Sequence, residues 1–121
     1  MEKNPSRNLA VYVVWVPELG AQPKHVPDAA TLVRDPRARH YWDGDEVVGK
    51  AYNGVLGIGR IAWDSYFIFD PGKLWDAGSV PTPDFWMHQM SKVRQAPMLS
   101  PKVFAAQVAQ RTGAAQPAGV R

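Results

Sequence analysis

The sequence predicts one α/β domain, about three strands in a mixed sheet with two or three helices, over residues 9–112. Three observations carry this. Leu9–Val16 is an unbroken apolar run rich in β-branched and aromatic residues, Arg60–Phe69 is also rich in aromatic and β-branched residues, and Ser100-Pro101 opens a helical pattern. A chain of 121 residues holds one domain. Eleven Pro and ten Gly keep its elements short. The hydrophobic share of 45%, with five Trp, four Tyr and four Phe, excludes a disordered chain.

Residues 1–8 are polar and hold Pro5, so a flexible N-terminus is expected. Leu9–Val16 is apolar at every position, as in a strand buried on both faces of an α/β sheet, and Pro17 ends it. Residues 20–27 form a loop, and Asp28 is placed to cap a short helix over Ala29–Val33. Pro36 suits a first helical position, which predicts a helical turn through Tyr41, and a further helical piece spans Glu46–Ala51. Asn53-Gly54 and Gly57-Ile58-Gly59 read as loop or turn.

Arg60–Phe69 is the second strand, and Asp70-Pro71-Gly72 is a turn signal. Lys73–Asp84, with Gly78, Pro81 and Pro83, is a loop. Phe85–Met90 then forms a shorter strand antiparallel to the second, near a sheet edge. Ser100 as cap and Pro101 as first residue start a helix over Lys102–Arg111, with Val103, Phe104 and Val108 on one face. Gly113 closes it, and residues 113–121 are expected to be a disordered tail. Trp-Asp recurs at Trp42, Trp63 and Trp75, but the unequal spacings are too short for propeller blades.

The net charge of +3 is uneven: every acid lies at or before Asp84, while residues 85–121 carry Lys92, Arg94, Lys102, Arg111 and Arg121. Such asymmetry suits a polyanion, yet these charges are sparse and form no block. A solvated helix and tail is therefore favoured over nucleic-acid binding. No apolar run approaches the ~20 residues of a transmembrane helix, and Leu9–Val16 runs into Pro17-Glu18 rather than a cleavage site. A cytoplasmic chain without membrane contact is expected. The absence of cysteine excludes a disulfide scaffold, thiolate metal sites and dithiol exchange.

His25, His40 and His88 are too scattered for a metal site, and no cofactor motif stands out. The glycines at 54, 57 and 59 precede a strand, the reverse of a phosphate loop. Ser65 lacks the glycine elbow of a nucleophile. Asp43, Asp45 and Glu46 beside Gly44 fit a solvated turn better than paired catalytic acids.

The densest polar and aromatic segment is Arg34–Asp43. On the predicted helical turn Arg37, His40 and Tyr41 share a face. Two readings compete there: a patch for a small anionic or aromatic ligand, or an internal Arg–Asp network with Tyr41 and Trp42 in the core, which is favoured. The candidate ligand-binding residues are Arg37, His40, Trp42, Asp43 and Trp63. His40 with Asp35 or Asp43 is the alternative acid–base pair of a small enzyme.

Val11–Pro17, Asp35–Asp43 and Ala62–Asp70 resemble, in order, three motifs of a family of small bacterial thioredoxin-like proteins. The resemblance covers about residues 9–90. It implies a shortened thioredoxin-like domain lacking the leading strand–helix unit and its CxxC, hence no redox activity. Gly59-Arg60 stands where the family's cis-proline belongs. The expected function is a non-enzymatic binding or interaction domain, homodimeric. A strand as apolar as Leu9–Val16 must either pair directly with the Arg60–Phe69 strand or borrow a neighbour from another chain.

Overall fold

A computed structural model describes residues 9–20, 22–25, 35–75 and 79–112. The expected helix at 29–33, the flexible residues 1–8 and the tail at 113–121 lie outside them. Among the described residues, four strands form two separate two-stranded sheets, rather than three strands in one.

β1 is Val11–Trp15 and β2 is Ala38–Trp42, paired in parallel with Val13 opposite His40 and Trp15 opposite Trp42. The ladder is extended at its ends by Val11 N–H to Arg37 O (3.3 Å) and Asp43 N–H to Trp15 O (2.8 Å). β2 corrects the helical turn expected at Pro36–Tyr41. Asp35 and Pro36 begin a tight turn instead, closed by Ala38 N–H donating to Asp35 O at 2.9 Å, and the Asp35 carboxylate takes Arg37 N–H at 2.9 Å. The chain leaves this turn extended. β1 is therefore paired by a segment between the two expected strands, not by Arg60–Phe69.

After β2, α1 spans Val47–Leu56. It runs through Asn53-Gly54, which is helical and not a turn, and stops at Gly57, whose left-handed backbone sends its N–H to Asn53 O at 2.9 Å. Burial of Tyr52 offsets the helical cost of Gly54.

β3 is Ser65–Ile68, shorter than expected for two reasons. Ala62 N–H donates to Gly49 O on α1 at 3.0 Å, which holds Ile61 and Ala62 against the helix, and Asp64 has φ 49°. β4, Phe85–His88, is antiparallel to β3, as the sequence predicts, and its register sets Phe67 opposite Trp86. α2 spans Pro101–Thr112, and Ser100 Oγ accepts Val103 N–H at 3.3 Å.

Strand alternation sorts the β3–β4 side chains. On one face Phe67 and Trp86, with Phe69 beyond the strand end, meet Tyr52 of α1, whose ring lies 4.6 Å from that of Phe67. On the other, Tyr66 and Phe85 lie 6.1 and 6.3 Å from Phe104 of α2. The sheet is thus layered between two helices. Of the three α2 residues expected on one face, Phe104 and Val108 are half-buried and Val103 is exposed. Arg111 ties α2 down by donating to Asp70 Oδ1 (3.0 Å) beside the Phe85 ring.

Among the described residues, the buried apolar side chains Tyr52, Ala62, Ile68, Met87, Met90 and Val93 all belong to this second half. No residue of β1 or β2 is buried.

Candidate functional site

Four of the five candidates lie on or beside β2. As a strand, β2 places Ala38, His40 and Trp42 on one half-buried face, and Arg39 and Tyr41 on an exposed one. His40 and Tyr41 therefore point to opposite sides, which corrects their shared helical face. Tyr41 is 50% exposed, so it is not in the core.

Arg37 is held by its neighbour. Its Nε donates to Asp35 Oδ1 at 2.9 Å and its Nη2 to Oδ2 at 2.6 Å, a two-pronged pair that also raises the guanidinium's affinity for its proton. The same bonds, with Arg37 N–H, hold the Asp35 carboxyl down to about 2. This is the Arg–Asp network that the composition favours.

His40 takes its orientation from β1. Trp15 Nε1–H donates to His40 Nδ1 at 3.0 Å, with the two rings within 10° of parallel. Nδ1 is thus an acceptor, which assigns the ring proton to Nε2. Neither carboxylate proposed to pair with His40 does so: Asp35 is gripped by Arg37, and Asp43 is a helix cap. Asp43 Oδ1 and Oδ2 accept Val47 N–H and Val48 N–H, each at 2.9 Å, satisfying two unpaired donors of α1.

Trp42 is half-buried and leans on Gly44, where an added Cβ would stand 2.9 Å from Trp42 Nε1. Trp63 lies on the irregular stretch that leads into β3, and its carbonyl accepts from Ser65 Oγ at 2.9 Å. It stands two residues ahead of β3, outside the β2 segment that carries the other four.

A carboxyl pair sits beside the cap. Burial, and then the adjoining Glu18 carboxyl, push Glu46 above its ordinary range. Glu46 Oε2 is buried without a hydrogen-bond partner, and its backbone is left-handed at φ 54°.

The other two histidines are structural. His25 Nδ1 accepts Gln22 N–H at 3.0 Å in an exposed turn. His88 is fully buried: Nδ1 accepts Met90 N–H at 3.0 Å, and Nε2 donates to Ala96 O at 2.9 Å. Its backbone also bonds Pro97 and Leu99. It knots the loop after β4. Among the described residues, no three His, Asp or Glu gather to hold a metal, and no helix is long and apolar enough to cross a membrane.

The sequence reading missed Tyr12, Trp15 and Arg39. Tyr12 and Tyr41 stack at 6.4 Å on the exposed face of β1–β2, with Tyr12 65% exposed and Arg39 opposite it in register. The signal that reveals them is alternation along two paired strands, invisible while residues 36–41 are read as a helix. No family model, curated protein or solved structure matches this chain.

Proposed function

We propose that the chain is a non-enzymatic interaction domain, a redox-inactive thioredoxin-like variant that works as a homodimer through its β1–β2 half. One observation carries this reading. β1 is apolar at every position, yet neither it nor β2 contributes a buried residue, whereas every buried apolar side chain among the described residues belongs to the second half. Isolated two-stranded sheets are marginal, and parallel ones occur almost only with both faces covered. A second copy supplies that cover at an isologous two-fold contact.

The thioredoxin-like part of this reading rests on the three sequence motifs over residues 9–90, since the parallel and antiparallel pairs lie in two separate sheets. The non-enzymatic reading rests on the occupied state of the polar candidates. Asp35, Arg37 and Asp43 hold one another or the backbone, and Trp15 engages His40. Sedimentation equilibrium at about 100 µM tests the assembly, because a modest interface associates in the micromolar range. The expected mass is that of two chains; the mass of one contradicts the reading.

A further inference from the structure

The outer face of the β1–β2 sheet gathers Tyr12, Val14, Arg39 and Tyr41. Three of the four are exposed, and none is acidic. Arg39 makes no ion pair or hydrogen bond with any described residue. It lies in register with Tyr12 yet forms no cation–π contact with a described ring; among the described residues that contact joins Arg111 to Phe85. The two tyrosines instead stack on each other and remain exposed.

Resting on the homodimer reading above, we infer that this face is the dimer contact, with Arg39 of each copy seated on the tyrosine rings of the other. The argument is complementarity. A guanidinium with no anionic partner among the described residues and two exposed tyrosine rings lie within one patch, and a two-fold axis brings each group of one copy onto the other group of its partner. Tyr and Arg are also the side chains that carry most binding energy in interfaces. An acidic peptide would satisfy Arg39 but leave the rings unused, while a second copy uses both. Five-residue strands make a patch well below the roughly 800 Å² per partner of a standard interface, so the association is weak and concentration-dependent.

The test compares full-length wild type with Arg39→Glu, Tyr41→Ser and Arg39→Lys, and with Leu74→Ser as an exposed control in the other half. Dissociation constants come from sedimentation, and near-UV circular dichroism monitors folding. Arg39→Glu and Tyr41→Ser are expected to weaken dimerisation tenfold or more, about the effect of losing one interface anchor. Arg39→Lys keeps the cation and most of the affinity, and Leu74→Ser leaves it unchanged. If Tyr41→Ser fails to fold, Arg39→Glu decides alone.

A dimeric wild type whose Arg39→Glu form remains equally dimeric overturns the assignment of the face and leaves the dimer reading standing. A monomeric wild type at about 100 µM overturns both. Binding of oligothymidylate by the monomer, abolished in Arg39→Glu, overturns the assignment in favour of a single-stranded nucleic acid stacked on the tyrosines.

Discussion

Two carboxylates near β2 respond to pH in opposite directions. Asp35 is held down to about 2 by Arg37, against an ordinary value of 3.8. Its contribution to stability is complete above about pH 4 and fades as pH falls toward 2. Asp35→Asn should abolish that acid-side loss in thermal melts taken between those limits. Glu46 is raised by burial and by Glu18, so its contribution is complete below the ordinary glutamate value and is lost as pH climbs through the raised one. Glu46→Gln mimics the protonated carboxyl and should raise the melting temperature at pH 7, with the gain shrinking at pH 4. A Glu46→Gln variant less stable than wild type at pH 7 would contradict the buried, crowded carboxyl. Gly49 makes a third residue-level test. A Cβ there would stand 2.6 Å from both Ala62 O and Ile61 Cγ2, so Gly49→Ala should cost about 1–3 kcal/mol in urea unfolding.

At the scale of elements, α1 offers paired substitutions with opposite signs. Gly54 is helical, exposed and has open space around its Cα, so Gly54→Ala should stabilise by about 1 kcal/mol. Gly57 has φ 64°, so Gly57→Ala should destabilise by about 1 kcal/mol. The two together test where the helix ends, because a helix ending at Ala51 predicts no gain at 54. Asp43→Ala should cost about 1–2 kcal/mol as a lost cap; a null effect would return Asp43 to the list of free ligands.

These elements also mark what the sequence made legible. β4, α2 with its Ser100 cap and the turn after Asp70 depend on local chemistry, and the structure has all three near their expected bounds. Residues 36–41 depart from the predicted helical turn because Asp-Pro opens both helices and tight turns. The choice fell to a long-range event, pairing with β1, which no local pattern records. Long-range contact also shortened β3, when Gly49 captured Ala62. The same holds for the candidate site. The Arg37–Asp35 pair is a two-residue event visible in the sequence, whereas the Trp15–His40 bond joins residues 25 apart and depends on the strand register.

Over the whole molecule, the apolar content is unevenly spent. One half builds a layered core around Tyr52, His88 and Met87, while the other exposes a stacked tyrosine pair and an arginine on a parallel two-stranded sheet. The halves should therefore differ in their dependence on concentration. The core half is stable by its own packing; in the proposed dimer, β1 and β2 acquire protection through the second copy. Residue-resolved amide hydrogen exchange, measured across a concentration series up to about 100 µM, reads this directly. Slowing of exchange at Val11–Trp15 and Ala38–Trp42 with rising concentration, while Ser65–Ile68 and Phe85–His88 stay constant, is the predicted result. Exchange at β1 and β2 that is equally slow at every concentration would contradict it, because the first half would then be complete within one chain.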